Sequence, residues 1–293
     1  MNSLFGPLDD VAGDAGHSDH PPRVGFFTDT SVCIGCKACE VACKQWNGVP
    51  AAEHLDLLGM SHDNTGALGA NAWRHVAFIE QTVPSVPSVD LGMPGTAEDG
   101  LRWLMASDVC KHCTHAGCLD VCPTGALFRT EFGSVVVQQD ICNGCGYCVS
   151  ACPYGVIERR PGDGRAQKCT LCYDRLHGGL EPACAKACPT DSIQFGPYEE
   201  LVTHAERRVA ELHRRGEEGA YLYGAGDEPD HDLAGGLGAF FLLTEPPERF
   251  GLPAEAESPV QENVVAATAA AMGAGLLAVA GAAVAFASTR RNR

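Results

Sequence analysis

The chain has 293 residues and a formal net charge of −16, with 21 Lys and Arg against 37 Asp and Glu. That length supports one large or two ordinary domains with sizeable cores, and 45% hydrophobic with 20% charged residues is the balance of a globular chain. The acidic excess excludes nucleic acid as a partner, because phosphate binding needs a basic footprint.

Residues 1–25 are polar and rich in Gly, Pro and Asp, and predict a flexible arm. They hold neither the apolar stretch nor the paired arginines of an export signal, so export is expected to rely on a partner's signal. Residues 26–197 contain all sixteen cysteines, in four groups of four. Group one is Cys33-x2-Cys36-x2-Cys39-x3-Cys43, and group two is Cys110-x2-Cys113-x4-Cys118-x3-Cys122-Pro123. Group three is Cys142-x2-Cys145-x2-Cys148-x3-Cys152-Pro153, and group four is Cys169-x2-Cys172-x11-Cys184-x3-Cys188-Pro189. Between groups one and two, residues 48–109 carry no readable motif, the string Trp73-Arg74-His75-Val76 included.

Short β-prone runs follow three groups, at Ala126–Phe128, Val156–Ile157 and Ser192–Phe195, and Val135–Val137 is expected to pair with the first across a turn at Gly133. In residues 198–215, Leu201, Val202, Ala205, Val209 and Leu212 recur at helical spacing, with Pro197 where a helix can start. Residues 216–262 are rich in Gly and Pro, with one strand-like run at Gly238–Thr244. Val264–Ala287 is uncharged throughout, and residues 289–293 form a basic tail.

The cysteine spacing points to iron–sulfur chemistry. A cubane needs one thiolate per iron. C-x2-C-x2-C lets one tight loop wrap three corners, while a fourth cysteine one helical turn further on points away to a second cluster. The proline after it stops that turn. Zinc would ask for two C-x2-C pairs across a longer loop, which only group four resembles. Disulfides do not suit such crowded thiols, whose Cα separations are wrong. A c-type haem would need C-x-x-C-H, and Thr114 follows Cys113. A cysteine loop, a helical turn and a short strand, repeated, is the layout of a bacterial ferredoxin. The fold predicted is therefore α+β: two ferredoxin-like modules holding four [4Fe–4S] clusters, plus a C-terminal transmembrane helix.

The exchanged fourth ligand means that the groups pair. The short loop from Pro123 to Ile141 suits groups two and three as one module (110–152), nested inside a second made of groups one and four (33–43 and 169–188). Cluster 1 would then take Cys33, Cys36, Cys39 and Cys188, and cluster 2 Cys43, Cys169, Cys172 and Cys184. Cluster 3 would take Cys110, Cys113, Cys118 and Cys152, and cluster 4 Cys122, Cys142, Cys145 and Cys148. Pairing in sequence order, one with two and three with four, stays open.

The strings Cys33-Ile-Gly-Cys-Lys-Ala-Cys-Glu-Val-Ala-Cys-Lys-Gln-Trp-Asn47, Lys168-Cys-Thr-Leu-Cys-Tyr-Asp-Arg175 and Glu181-Pro-Ala-Cys-Ala-Lys-Ala-Cys-Pro-Thr190 resemble the iron–sulfur (beta) subunit of respiratory formate dehydrogenase. The wider family is the four-cluster subunits of molybdopterin oxidoreductases. The resemblance covers residues 30–200, departs from the family at Thr190–Ile193, and favours the nested pairing. It implies electron transfer from a molybdopterin catalytic (alpha) subunit, through four [4Fe–4S] clusters, to an integral membrane quinone-reducing (gamma) subunit. The alternatives are the same relay beside a sulfur-compound, nitrate or sulfoxide reductase, and a zinc-binding structural module. No catalytic residue is expected in this chain: it has no nucleotide-binding loop and no nucleophile–base pair.

Residues 263–288 are long enough to cross a bilayer. Ala270, Ala274, Ala278 and Ala282 recur every fourth residue, a face that lets helices approach closely in lipid; a buried helical tail is the alternative. Arg290, Arg291 and Arg293 after the span, against Glu255, Glu257 and Glu262 before it, predict a single-pass protein of the cell membrane with a cytoplasmic C-terminus and an extracytoplasmic cluster domain. His112 and His115, and Lys37, Lys44, Lys111, Lys168 and Lys186, lie beside cysteines. They would either tune the clusters by hydrogen bonding and charge or be ordinary loop and surface residues.

Overall fold

The computed structural model describes residues 10–51, 62–83, 100–225 and 233–291. In chain order, β1 (Val24–Asp29) leads to α1 (Ala38–Asn47), the long strands β2 (Arg74–Val83) and β3 (Gly100–Val109), and α2 (Gly117–Asp120). Next come β4 (Leu127–Arg129), β5 (Val135–Val137), α3 (Tyr147–Ser150), β6 (Glu158–Arg159), β7 (Ala166–Gln167), α4 (Tyr173–His177) and α5 (Ala183–Lys186). The chain ends with β8 (Ile193–Pro197), α6 (Tyr198–Arg214), β9 (Tyr221–Tyr223), β10 (Ala239–Leu243) and α7 (Pro259–Arg291).

A four-stranded sheet, in the order β8-β1-β10-β9, forms the base. Its two central strands are parallel, from Phe26 opposite Ala239 to Asp29 opposite Leu242. Phe26, Phe27, Phe240, Phe241, Leu242 and Leu243 are all buried, which is why these strands read as continuous apolar runs rather than alternating ones. The amphipathic helix expected at 198–215 is α6. It buries Leu201, Ala205 and Leu212 and ties its outer face to the sheet through Arg208, whose Nε lies 2.8 Å from Asp29 Oδ2. Glu199 and Glu200 in its first turn, and His213 and Arg214 in its last, complement the helix dipole.

The cysteine-bearing helices are short, from one turn in α2, α3 and α5 to nearly three in α1, and pack in two pairs, α1 against α5 and α2 against α3. The first pair joins groups one and four; the second joins groups two and three. The motif-free stretch contains an antiparallel ribbon, β2 against β3, running from Arg74 opposite Val109 to Val83 opposite Gly100. Leu127 pairs with Val137 as expected, and Gly133 takes φ 78° in the turn between β4 and β5. Val156 and Ile157 form no strand. They are buried at the Cys152 cavity wall, and pairing passes to Glu158 and Arg159.

The expected N-terminal arm also differs. Val11 and Ala12 are buried, His17 Nε2 donates to the Arg129 carbonyl oxygen at 3.0 Å, and Val24 and Gly25 belong to β1. Residues 1–9 of that arm lie outside the described ones.

At the other end, α7 starts against α2, where Ser258 Oγ donates to Asp120 Oδ2 at 3.0 Å. Its apolar stretch, Asn263–Ala287, is 25 residues with a mean hydropathy of 2.0 and is not buried by any of the described residues. This is a helix long and apolar enough to cross a membrane; at ~1.5 Å per residue it reaches about 37 Å. The described residues do not bury this tail: Leu276, Leu277 and Phe286 stand exposed.

Candidate metal centres

All four C-x2-C loops share a backbone device. The residue before the second cysteine is left-handed in each: Gly35 (φ 64°), His112 (φ 46°), Gly144 (φ 73°) and Leu171 (φ 57°). A left-handed residue turns the chain back on itself and aims successive N–H groups inward, an arrangement that binds anions. Two loops use glycine, for which this conformation is free of strain. The other two hold it with side chains. Leu171 is buried, and its N–H reaches Cys169 Sγ at 3.3 Å.

The sixteen cysteines are all unpaired thiols, and they gather in fours. Cys33, Cys36, Cys39 and Cys188 line a cavity of about 290 Å³ with Val76, Ser107 and Ile193. Cys110, Cys113, Cys118 and Cys152 line one of about 340 Å³ with His112, Val135, Tyr154 and Ile157. Cys122, Cys142, Cys145 and Cys148 line one of about 320 Å³ with Leu127, Val137 and Ala166. The remaining four are also neighbours. Burial pushes the Cys43 thiol up to about 12, and Cys184 and Cys172 beside it add to the shift. Cys169 is raised by burial and then by Cys43 among others. Asn47 Nδ2 lies 3.7 Å from Cys43 Sγ and 3.8 Å from Cys172 Sγ.

Backbone and side-chain donors point at the sulfurs. The N–H groups of Leu127 and Ala166 reach Cys122 and Cys142, each at 3.5 Å. Two buried cations join them. Arg74, 2% exposed, donates to Cys184 Sγ at 3.2 Å and to Ser107 Oγ at 3.4 Å. Ser107 Oγ in turn lies 3.2 Å from Cys39 Sγ, so one guanidinium and one hydroxyl link two cysteine sets. Lys168, also 2% exposed, donates to Cys110 Sγ at 3.4 Å and to the carbonyl of Cys169 at 2.9 Å, linking the set of Cys184 to a third. Burial works against the Arg74 charge, and the neighbouring sulfurs of Cys184, Cys39 and Cys169 outweigh it.

Of the lysines singled out in the sequence, Lys168 and Lys111 are buried and Lys186 is an exposed partner of Glu181. Lys111 pairs with Asp108 rather than with sulfur. Roles for Arg74, Ser107 and Asn47 are not predicted from the sequence. The only sign of Arg74 there is a charged residue set in an apolar, strand-prone string.

The donor set fits an iron–sulfur cube. Each cavity is ringed by four soft sulfur ligands and walled largely by apolar side chains. Among the described residues no three His, Cys, Asp or Glu side chains converge closely enough to hold a single metal ion, as a zinc site with ~2.3 Å bonds would require. Burial raises Cys39 and Cys148 to about 11 and Cys118 to about 12, so ligation, which needs thiolates, must displace their protons.

Comparison with known proteins agrees. Residues 32–126 and 101–198 each match the 4Fe-4S dicluster domain family. The formate dehydrogenase iron-sulfur subunit of Haemophilus influenzae is 41% identical over 239 residues, covering 80% of this chain and 70% of the relative. The formate dehydrogenase-O iron-sulfur subunit of Escherichia coli is 41% identical over 209 residues, 70% of this chain and 63% of the relative. A subunit of the anaerobic dimethyl sulfoxide reductase of Escherichia coli is 33% identical over 184 residues, 61% of this chain and 76% of the relative. The zinc reading falls with these matches.

Proposed function

The chain belongs to the family of formate dehydrogenase iron–sulfur subunits, and from that premise we propose how its sixteen cysteines divide, which way electrons run and how it sits in the membrane. Like its relatives it is an electron-transfer subunit carrying [4Fe–4S] clusters within an oxidoreductase complex. Cluster 1 is held by Cys33, Cys36, Cys39 and Cys188, and cluster 2 by Cys43, Cys169, Cys172 and Cys184. Cluster 3 is held by Cys110, Cys113, Cys118 and Cys152, and cluster 4 by Cys122, Cys142, Cys145 and Cys148. The observation that carries this division is that three cavities are each lined by four cysteines from two groups, one with four or two with three. Sequence-order pairing would mix these sets.

A bound [4Fe–4S] cluster supplies one-electron chemistry at a potential set by its surroundings. The chain's residues do the rest. Apolar walls such as Val135, Val137 and Ile193 exclude water, the inward N–H groups and Arg74 and Lys168 offset the negative charge, and the α1–α5 and α2–α3 pairs fix the spacing. Arg74 with Ser107 joins sets 1 and 2, and Lys168 joins sets 2 and 3, so the order along the protein is 1-2-3-4. Set 4 adjoins set 3, since α2 leads from Cys118 to Cys122 and α3 from Cys148 to Cys152, and α7 starts against α2.

The module of sets 3 and 4 therefore faces the membrane, and set 1, with Cys36 exposed, faces a catalytic subunit. In this reading the catalytic partner is a molybdopterin formate dehydrogenase, and an integral membrane subunit takes the electrons on to quinone. The helix Asn263–Ala287 crosses the bilayer with Arg290, Arg291 and Arg293 on the cytoplasmic side, which leaves the cluster domain outside. The broader match to formate dehydrogenase subunits, 80% of the chain against 61% for the sulfoxide reductase relative, favours formate.

Cys148→Ser in the purified complex tests the relay. Formate oxidation by an artificial dye is expected to persist, while formate-to-quinone turnover drops at least tenfold and one cluster signal is lost or converted. Equal loss of both activities, with the complex intact, would contradict the reading.

A further inference from the structure

His112 sits in the second cysteine loop, between Cys110 and Cys113, at a left-handed φ of 46°. The matching position is glycine in two of the other loops, Gly35 and Gly144, where the conformation carries no steric penalty. An imidazole here retains a strain that glycine would relieve, so the side chain has something to contribute. The ring is 2% exposed and lines the cavity of Cys110, Cys113, Cys118 and Cys152.

Its two nitrogens are not equivalent. Nδ1 lies 3.1 Å from the backbone nitrogen of Val135, whose N–H can only donate. Nδ1 must therefore be the acceptor, and a neutral ring then carries its proton on Nε2. That Nε2 is buried and has no hydrogen-bond partner among the described residues. Buried donors are rarely left unsatisfied in native proteins, and an orphan calls for an unseen acceptor. The cavity wall offers it no carboxylate. Apart from the Tyr154 ring and Lys111, which Asp108 holds, the lining side chains are sulfur and apolar carbon.

We propose that His112 Nε2–H donates a hydrogen bond to a sulfur of the cluster held by Cys110, Cys113, Cys118 and Cys152, raising that cluster's reduction potential above what its thiolates alone would set. This rests on the ligand assignment proposed above. The physical basis is that reduction adds negative charge to the sulfurs, so a donor stabilises the reduced state more than the oxidised one. The Val135 N–H, fixed in the β4–β5 hairpin, acts at one remove by locking the tautomer, much as outer partners orient metal-bound histidines. His115, whose Nδ1 is also unpartnered among the described residues, does not line this cavity and is not assigned the same role.

The test uses the intact purified complex. With ¹⁵N-histidine labelling, pulsed EPR of the reduced wild type is expected to detect a histidine nitrogen coupled to one cluster, and His112→Phe to abolish that coupling. In redox titration His112→Phe is expected to shift one cluster's one-electron equilibrium toward oxidation about tenfold, which is about 59 mV. His112→Gln, which keeps an N–H near the Nε2 position, is expected to recover most of that shift; a merely structural role would not follow the donor in this way. No histidine coupling in the wild type, or unmoved potentials in both variants, would overturn the inference. If His112→Phe loses the cluster, the wild-type coupling and the His112→Gln potential decide alone. Fewer than about sixteen irons per wild-type chain would overturn the ligand assignment itself, and the inference with it.

Discussion

Replacing Arg74 by Met keeps most of the side-chain volume and removes one buried positive charge. Arg74 is almost fully buried at the start of β2, stacks 4.9 Å from the Phe26 ring, and donates to Cys184 Sγ at 3.2 Å and to the Ser107 carbonyl at 3.3 Å. A sulfur at that distance puts the guanidinium about 6 Å from the centre of a cluster's charge. At an effective dielectric of about 20, one unit charge there is worth about 2.8 kcal/mol for each electron added. That converts to about 120 mV for a one-electron couple. Cluster 2 should therefore fall by roughly this amount, and cluster 1, reached through Ser107 Oγ and Cys39, should fall by less. The assay is an EPR-monitored redox titration of the purified complex, with iron content measured beside it. Retention of all clusters with no change in any potential would refute the claim that Arg74 acts on them electrostatically.

Three further outcomes follow from the same geometry. Lys168→Met removes the donor to Cys110 Sγ and should lower the potential of cluster 3, in the same titration, while leaving cluster 1 unmoved. Gly144→Ala puts a Cβ 2.6 Å from the Gly164 carbonyl oxygen at φ 73°. It should weaken the third cysteine loop by about 1–2 kcal/mol, seen as earlier loss of cluster absorbance in a denaturant titration of the complex. Truncation after Ser258 removes α7, and should release the chain from membranes on fractionation while leaving its iron content unchanged, because no part of Asn263–Ala287 is buried in the cluster domain.

Three of the proposed cysteine sets are legible in the sequence because three ligands of each come from one short loop, where sequence spacing is spatial spacing; the second is spread over Cys169–Cys184 by an eleven-residue insertion. The fourth ligand is less so. Whether Cys188 or a group-two cysteine completes the first set depends on how α1 packs on α5, which no local pattern encodes. Helix α6 and strand β10 are readable from apolar periodicity and from an uninterrupted apolar run. The β2–β3 ribbon is not, since its residues between Arg74 and Val83 mix charged, polar and aromatic side chains without strict alternation. Arg74 and Ser107 matter because the register of that ribbon sets Ser107 opposite Val76, two residues on from Arg74, and the ribbon crosses between cysteine sets. His112 is visible as a histidine among cysteines. Its tautomer and its unpaired nitrogen come only from the position of the Val135 N–H.

The division of sixteen cysteines among four clusters bears most of the weight, and an anomalous-difference map of the crystallised complex at the iron edge tests it directly. Four separate cubes are predicted, with Cys188 completing the first set, Cys43 the second, Cys152 the third and Cys122 the fourth. Cubes whose fourth ligands join group one to group two and group three to group four, or fewer than four cubes, would contradict it.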